Sequence, residues 1–400
     1  MNITIQKFGG TSTSSVPTRR MMYSHILEAI SHQQKVVAVV SAMGRFDDPY
    51  ATDTLYSLVG ETALDDEELD RLVHIGEDIA ALVIKGELFK LGLKVTSVTN
   101  QELGIITDDH FQEANIIDLD GSMILEKLQT YDVVICPGFQ GHTRDGRITT
   151  LGRGGSDLSA IALGVSLKAS SVEIYSDVNG IYTADPRVVA NPTKIDCISH
   201  QAMLALALQG AKVLNHRCVE LASRFQVTIH ARSSFSHEQG TLVTSDPNAD
   251  YPEIAGIAGK SGLTLIRLLG FPNTAGANEL LKNELERKKV KPSAAVYSEE
   301  GDYSLIFDSQ QISNAIEALK EVQMQLDFDR IVVRGRVGCV SFVSEKLAEE
   351  KRRFYEARKA LESFGVNIIL DTCENISAVY YIDRNEVSKT QRLLHQYFFN

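Results

Sequence analysis

One segment combines residues that bind anions with residues that begin a helix. Residues 152–157 read GRGGSD, and an apolar helical pattern follows at once. The glycines expose backbone N–H groups, Ser156 or Asp157 can cap the helix, and Arg153 offers a bidentate guanidinium. A helix N-terminus beside an arginine suits a carboxylate or a phosphate. The alternative is a plain N-cap with an incidental arginine, but three closely spaced glycines favour the anion site.

A second candidate anion site lies near the start of the chain. Residues 7–12 read KFGGTS between a short predicted strand and a predicted helix. The two glycines permit close backbone approach to a phosphate, and Lys7 supplies a point charge. The segment lacks the GxxxxGK[ST] spacing of a Walker loop. Spacing alone leaves a phosphate loop and an ordinary strand–helix turn equally open.

A third segment, residues 176–187 (SDVNGIYTADPR), follows an apolar run at 172–175. Loops at the carboxyl ends of parallel strands are where α/β sheets bind ligands. Tyr182 can stack on a nucleobase or merely pack. Asp185 and Arg187 can direct a guanidinium toward a phosphate or simply end the loop.

Alternating strands and helices must position these three segments. Continuous apolar runs, typical of parallel strands covered on both faces, occur at 36–40, 95–98, 133–136 and 172–175. Helical patterns at 67–91 and 157–168 lie between such runs, and a strand-like stretch at 227–231 ends this part of the chain. The alternation predicts an α/β fold with a mainly parallel sheet.

The C-terminal part has a different order of elements. A turn-rich linker at 246–252 precedes it, and a strand–helix–strand–strand–helix order then occurs twice, about 74 residues apart. The predicted strands are 263–269, 293–297, 303–307, 337–343, 366–370 and 376–382, and the predicted helices are 275–288, 309–321, 347–364 and 384–398. Two βαββα repeats predict two small ferredoxin-like modules. We therefore expect domains at 1–245, 254–327 and 331–400.

Composition narrows the class of protein. The chain has 400 residues and a formal net charge of −12, which argues against broad nucleic-acid or anionic-membrane binding. No apolar run approaches the roughly 20 residues of a membrane span, and residues 1–5 lack signal-peptide character. Five scattered cysteines predict a reducing cytoplasm with neither a disulfide framework nor a zinc site. The histidines show no metal-binding spacing such as HxxxH.

Taken in order, these motifs resemble those of the aspartate kinases of the amino-acid-kinase superfamily. The resemblance rests on KFGGTS (7–12), VVSAM (39–43), LGRGGSD (151–157), YSDVNGIYTADPR (175–187) and GAKVL (210–214). It covers essentially the whole chain, and the C-terminal repeats resemble ACT domains. It implies a three-layer αβα sandwich followed by two βαββα modules. It also implies phosphorylation of L-aspartate by ATP with Mg²⁺, the first step toward lysine, diaminopimelate, threonine and methionine.

The resemblance further implies roles for single residues. The implied catalytic residues are Lys7, Asp157 and Lys212. The implied substrate-binding residues are Thr52, Glu77, Arg153 and Ser156, with Glu77 at the ammonium group and Arg153 at the α-carboxylate. The implied nucleotide-binding residues are Lys7, Gly9, Gly10, Ser41, Ser176, Asp177, Tyr182, Asp185, Arg187 and Lys212. No metal ligand is assigned. A side-chain carboxylate of pKa ~3.9 is already ionised at neutral pH, so the chemistry needs positioning and charge stabilisation rather than a general base.

The ACT-like repeats imply an amino-acid effector and a homodimer or larger homo-oligomer. Their turns depart from the family pattern at 271–276 (FPNTAG) and 344–349 (SEKLAE), so the effector stays open. Two other functions also stay open. Another amino-acid kinase is disfavoured by the paired modules and by Glu77 with Arg153. A catalytically silent amino-acid sensor is disfavoured by the retained residues Lys7, Arg153, Asp157, Asp177 and Lys212.

Overall fold

The computed structural model describes residues 1–60, 64–169, 171–298 and 301–399, and the chain divides into two compact units. The first unit comprises Met1–Ile181, Lys194–Ala207 and Lys212–Pro252. The second comprises Tyr182–Thr193, Leu208–Ala211 and the chain from Glu253 onward. Asn400, the last residue of the second expected module, lies outside the described residues. Within the described ranges no helix is long and apolar enough to cross a membrane.

Up to residue 252 the described chain alternates strands with helices. The strands are β1 (Ile3–Phe8), β2 (Lys35–Val40), β3 (Val95–Ser97), β4 (Ile105–Thr107), β5 (Ile116–Leu119), β6 (Val133–Pro137), β7 (Gln140–His142), β8 (Ile148–Thr150), β9 (Ser171–Ser176), β10 (Ile181–Tyr182), β11 (Lys194–Ile195), β12 (Cys197–Ser199), β13 (Thr228–Ser233) and β14 (Thr241–Thr244). The helices are α1 (Gly10–Thr13), α2 (Val16–Ser31), α3 (Thr52–Val59), α4 (Asp66–Val73), α5 (Ile75–Lys90), α6 (Ser122–Thr130), α7 (Gly155–Ser166), α8 (His200–Leu208) and α9 (His216–Phe225).

The main sheet of the first unit has eight strands in the order β12-β14-β13-β9-β1-β2-β6-β3. Every neighbouring pair is parallel except β13 and β14. Helices α2 and α5 cover one face, where Met22 and Ile84 join the core beside Phe8. Helix α7 covers the other face, where Gly164 comes close to Ile5 and Val172. The predicted αβα sandwich with a mainly parallel sheet is confirmed. A smaller sheet, β5-β4-β7-β8, accompanies it.

The predicted helix 67–91 is two helices, α4 and α5, joined at His74. Helix α4 starts in a capping box in which Asp65 and Glu68 each bond the other's backbone N–H. Near the start of α5, a Cβ on Gly76 would lie 2.7 Å from the Tyr50 carbonyl. The first turn of α5 is therefore pressed against neighbouring backbone at a point that only glycine tolerates.

The second unit contains one antiparallel six-stranded sheet in the order β16-β17-β15-β18-β20-β19. Its strands are β15 (Gly256–Leu269), β16 (Ala294–Tyr297), β17 (Tyr303–Asp308), β18 (Arg330–Val343), β19 (Leu370–Glu374) and β20 (Ser377–Asp383). Its α-helices are α10 (Ala275–Arg287), α11 (Ile312–Gln325), α12 (Arg352–Ser363) and α13 (Val387–Phe399). Strand 366–370 was predicted too early, because Val366 and Ile368 pack into the core from a loop before β19.

The two predicted repeats share their longest strands. Residues 263–269 of β15 pair with 330–337 of β18, which gives the first βαββα repeat a fourth strand. Residues 256–260 of β15 pair with 339–343, which does the same for the second repeat. Ile257 accordingly packs in the core of the second repeat. In the sequence, the first repeat therefore lies between strand 256–260 and the other elements of the second repeat.

Candidate active site

The carboxyl ends of four parallel strands meet at one edge of the main sheet. In the register, Phe8 lies opposite Val40 and Tyr175, and Val40 lies opposite Pro137. The residues that follow these positions therefore leave the sheet side by side. These residues include Gly9, Ser41, Gly138 and Ser176. Such an edge is the usual ligand site of an α/β sheet.

A cleft of about 420 Å³ opens within the first unit and gathers all four predicted substrate-binding residues with Lys7, Ser41 and Asp157. Its lining residues are Lys7, Ser41, Thr52, Asp53, Tyr56, Glu77, Gln112, Phe139, Gly152, Arg153, Gly154, Gly155, Ser156 and Asp157. Two helices, α3 and α7, begin at this cleft with Thr52 and Gly155. Helix N-termini favour negatively charged groups.

Lys7 and Asp157 form an ion pair in the cleft. The Lys7 Nζ lies 2.5 Å from Asp157 Oδ1, and each side chain is 12% exposed. Lys7 stands near the end of β1, and Asp157 stands in the first turn of α7. A Cβ on Gly9 would lie 3.6 Å from the Lys7 Nζ. The missing side chain at Gly9 therefore leaves space beside the ammonium group.

Gly10 is held against the segment that follows β2. A Cβ on Gly10 would lie 2.5 Å from the Gly44 carbonyl oxygen and 2.9 Å from that of Ala42. The Gly44 N–H donates to the Gly10 carbonyl at 2.9 Å. This glycine therefore makes possible a close contact between two backbone segments that flank the cleft.

Glu77 is a buried carboxyl group with one bonded oxygen and one unbonded oxygen. Its residue is 2% exposed, and Oε1 accepts a hydrogen bond from the Ala42 N–H at 3.0 Å. Oε2 has no hydrogen-bond partner. Burial raises the pKa of Glu77 to about 8, against the opposing effect of the Ala42 N–H. A cationic ligand group would restore the charge of this carboxylate.

Arg153 presents an exposed guanidinium on a rigid turn. Its side chain is 93% exposed, and its Nη2 lies 3.9 Å from Asp53 Oδ1. Its carbonyl accepts a hydrogen bond from the Asn215 side chain at 2.8 Å. Gly152 and Gly154 have φ angles of +75° and +74°. The left-handed turn that carries the arginine therefore depends on glycine.

Sequence reasoning missed Asp70, a fully buried carboxylate behind the cleft wall. It accepts hydrogen bonds from the Gln112 and Thr150 backbone N–H groups, from the Gln112 amide at 2.6 Å and from the Thr150 hydroxyl at 2.6 Å. Gln112 in turn accepts from the Tyr56 hydroxyl at 2.5 Å. Asp70 thus positions two lining residues. Its partners lie 42 and 80 residues away in sequence, so no local pattern could have revealed it.

The remaining predicted site residues do not line this cleft. Ser176 caps its own turn by accepting from the Val178 N–H, and Asp177 pairs with Arg45 at 3.0 Å. Lys212 is exposed in the loop before α9. Tyr182, Asp185 and Arg187 belong to the second unit, where the Asp185 and Arg187 side chains pair at 2.8 Å. The nucleotide-binding roles of these residues stay predictions.

Comparison with known proteins identifies the family. Residues 2–233 match the model of the amino acid kinase family. The chain is 37% identical over 352 residues to Aspartokinase 1 of Bacillus subtilis, covering 84% of each chain. It is 34% identical to the Aspartokinase of Helicobacter pylori strain 26695, covering 98% of each. The chain belongs to the aspartokinase family.

Solved structures support the aspartokinase fold along the whole chain. The Escherichia coli aspartokinase III, solved in complex with aspartate and ADP, superimposes with a TM-score of 0.82 at 23% identity and full coverage of both chains. The aspartate kinase from Synechocystis aligns with a TM-score of 0.54 at 26% identity, covering 99% of this chain and 69% of that one. The resemblance seen in the motifs is thereby confirmed, and the fold class agrees with these aspartokinases.

Proposed function

We propose that this member of the aspartokinase family transfers the γ-phosphoryl group of ATP to the side-chain carboxylate of L-aspartate, giving 4-phospho-L-aspartate and ADP. One observation carries the proposal. A single cleft is lined by residues that suit an ammonium group, a carboxylate and a phosphate: Glu77, Arg153 and Lys7.

The aspartate substrate would be held at both ends. Its ammonium group would ionise Glu77, whose Oε2 has no other partner. Its α-carboxylate would bind the bidentate guanidinium of Arg153, which is exposed and lies 3.9 Å from the Asp53 carboxylate. Thr52 and Ser156, each in the first turn of a helix, would add polar contacts. Fixing both ends leaves the side-chain carboxylate to attack phosphorus without a general base.

The phosphates of ATP would lie in the part of the cleft around Lys7. Their oxygens would accept hydrogen bonds from the Lys7 ammonium group, in the space that Gly9 leaves open. Asp157 is a hard oxygen donor and would hold Mg²⁺, which neutralises phosphate charge when it is bound. The Lys7–Asp157 contact orients the ammonium before substrate arrives, so little reorganisation is needed during transfer.

The proposal is tested by coupled ADP release with the purified full-length protein. We expect ADP release that depends on L-aspartate, and we expect hydroxylamine to trap the product as its hydroxamate. Turnover of L-glutamate without turnover of L-aspartate would instead indicate another amino-acid kinase. No turnover of any amino acid would indicate a silent sensor. Arg153→Ala should raise the KM for aspartate, whereas Arg144→Ala, at an exposed ion pair with Asp118, should leave it unchanged.

We also propose an amino-acid effector site in the second unit. A cavity of about 480 Å³ is lined by Ala348, Lys351, Cys373, Glu374 and Asn375. Lys351 and Glu374 offer opposite charges to the two ends of an amino acid, and Ala348 belongs to the altered turn 344–349. Activity measured with lysine, threonine, methionine and meso-diaminopimelate, singly and in pairs, tests this site. An effect that Lys351→Met abolishes would support it, and insensitivity to all four would count against it.

A cytoplasmic homo-oligomer completes the proposal. Strands β16 and β19 are the edges of the six-stranded sheet and could pair with a second copy. Light scattering of the eluted full-length protein measures the oligomer size. All five cysteines are free thiols, which suits the reducing compartment where ATP is available.

A further inference from the structure

A histidine–glutamate cluster lies apart from the residues that line the active-site cleft. His25 and Glu28 are one turn apart on α2, and His237 lies in the loop between β13 and β14. One potential ligand atom from each residue lies within 4.8 Å of the others. Glu28 Oε2 is 3.9 Å from His25 Nδ1 and 3.0 Å from His237 Nδ1. None of the three residues lines the cleft.

His25 is a buried ring whose nitrogens are unsatisfied. The residue is 1% exposed, and neither Nδ1 nor Nε2 makes a hydrogen bond of good geometry, although the Ser234 backbone lies near the ring. Its ring packs between those of Tyr175 and His237, each with centroids 4.4 Å away. An unsatisfied buried polar group in a native protein calls for a partner such as an ion. An imidazole in its neutral form offers a nitrogen lone pair to such a partner.

The hydrogen bonds of His237 direct its other nitrogen toward Glu28. The Ser24 hydroxyl donates to the Met21 carbonyl at 2.6 Å and lies 3.1 Å from His237 Nε2, an arrangement that suits the tautomer with hydrogen on Nε2. In that tautomer, Nδ1 carries a lone pair that faces the Glu28 carboxylate at 3.0 Å. A lone pair and a carboxylate oxygen at this distance require a proton or a metal ion between them.

We propose that His25, Glu28 and His237 bind a divalent transition-metal ion of the Zn²⁺ class. Two imidazole nitrogens and one carboxylate oxygen form a donor set that zinc accepts, with water in the fourth position. Metal–ligand distances of about 2.0–2.2 Å place neighbouring ligand atoms of a tetrahedral ion roughly 3.3 Å apart. The two separations from Glu28 Oε2, 3.0 and 3.9 Å, bracket that value, and the ligand atoms of the two histidines lie within 4.8 Å of each other. With an ion bound, the Ser24 hydroxyl would hold the required tautomer of His237, as partners of metal-binding histidines commonly do.

An ion at this site would restrain the loop between β13 and β14, which contacts the segment after β1 and the end of β9. In the same loop, the Ser234 hydroxyl lies 2.5 Å from that of Ser12, and its N–H donates to the Ser176 carbonyl at 2.8 Å. Binding would therefore tie α2 to the segment beside the glycine turn. Sequence reasoning overlooked the site because only the HxxE pair on α2 is local, and His237 follows Glu28 by 209 residues.

The experiment uses full-length protein stripped with a chelator, without nucleotide or aspartate. Zn²⁺ is titrated in competition with a chromophoric chelator, and Co²⁺ is added separately to read its visible d–d absorption. We expect one Zn²⁺ per chain and a tetrahedral Co²⁺ spectrum. His237→Ala should weaken Zn²⁺ binding at least about tenfold and abolish that spectrum. His32→Ala removes an exposed histidine just beyond α2 and should change neither.

Glu28→Gln provides a second variant that keeps the size of the side chain. It should also weaken binding and remove the rise in Tm that Zn²⁺ gives the parent protein. Absence of Zn²⁺ binding by the parent protein would overturn the proposal in favour of a His237 imidazolium paired with Glu28. Equal affinity in the parent and His237→Ala would overturn it as well. Neither readout depends on kinase activity, so failure of the proposed function would leave this test intact.

Discussion

The Lys7 ammonium lies 2.5 Å from the Asp157 carboxylate, so the end of β1 is joined to the first turn of α7 within the cleft. Both side chains are mostly shielded from water, and each therefore holds the other's charge in place. Removing either partner leaves a poorly solvated charge behind. In the proposed mechanism the pair orients the ammonium group for phosphoryl transfer, and removing either partner should destabilise the fold.

Replacing Lys7 tests its catalytic role. Lys7→Met should lower kcat by about 10²- to 10³-fold, because a cation placed beside developing phosphoryl charge is lost. Steady-state kinetics with saturating aspartate and ATP measures this loss. Lys35→Met removes a lysine from another ion pair, with Asp132 at 2.7 Å, and should leave kcat within about twofold. Equal kcat values for the two variants would remove Lys7 from the mechanism.

Glu77 should make the stability of the free protein depend on pH. Its pKa is about 8 in the folded protein, above the value of about 4.5 expected when unfolded. The folded state therefore binds more protons in this window, and its contribution to the free energy of unfolding falls as pH rises from about 4.5 to about 8. Measured by urea unfolding across that pH range, the free energy of unfolding should decline less for Glu77→Gln than for the parent protein. Glu126→Gln, at an exposed position on α6, should follow the parent.

Glu77 should also make aspartate binding depend on pH. The substrate ammonium favours the ionised carboxylate, so binding releases a proton and strengthens as pH rises toward about 8. The KM for aspartate should therefore be lower at about pH 8 than at about pH 6.5. In Glu77→Gln the KM should be higher and should lose this dependence. A variant whose pH profile matched the parent would show that Glu77 does not contact the ammonium group.

Asp70 should matter for stability far more than its neighbour on α4. Asp70→Asn places an amide where a carboxylate accepts bonds from Gln112 and Thr150, so buried donors lose their partners. We expect the free energy of unfolding to fall by about 3 kcal/mol, measured by urea denaturation. Asp66→Asn changes an exposed residue of the same helix and should cost less than about 0.5 kcal/mol. Similar losses in both variants would contradict the buried network.

Gly10 should be intolerant of even one added methyl group. Gly10→Ala places a Cβ 2.5 Å from the Gly44 carbonyl oxygen, so the segments that flank the cleft must separate. We expect a KM for ATP raised at least about tenfold, because the Lys7 side of the cleft is displaced. Gly86→Ala lies within α5, where the new Cβ meets nothing within 4 Å, and should stabilise the protein by about 0.5–1 kcal/mol. An unchanged KM in Gly10→Ala would show that the glycine turn does not shape the ATP site.

Short sequence patterns predicted the strands and helix starts whose formation depends on neighbouring residues. The apolar run at 36–40 predicted a buried parallel strand, and all five of its residues are fully buried in β2. The GRGGSD segment predicted a helix start, and α7 begins at Gly155 with Arg153 at the cleft. The family resemblance, which rests on the motifs in their order, implied that Thr52 and Glu77 belong to the same site, and both line the cleft. Residue spacing alone could not have predicted this.

Contacts between distant segments escaped the same reasoning. Asp70 is one acidic residue in an acidic helix, and only the fold reveals that Thr150 lies beside it. Strand 256–260 was not predicted. Its partner, 339–343, is about 80 residues away, and the repeat seen in the sequence starts only at residue 263. The predicted roles of Tyr182 and Arg187 depend on a nucleotide and stay predictions.

The shared strands of the second unit limit the order in which its strands can pair during synthesis. Strand 256–260 leaves the ribosome before the inserted repeat, yet its partner in β18 and the next strand, β20, emerge after it. The inserted repeat can close its own four strands once residues 330–337 are available. Through that interval the earliest strand of the outer repeat lacks its partner in β18, although the Thr183 carbonyl, which is made earlier, can already accept from the Ile257 N–H. Closure of the inner module would then bring the two halves of the outer module together.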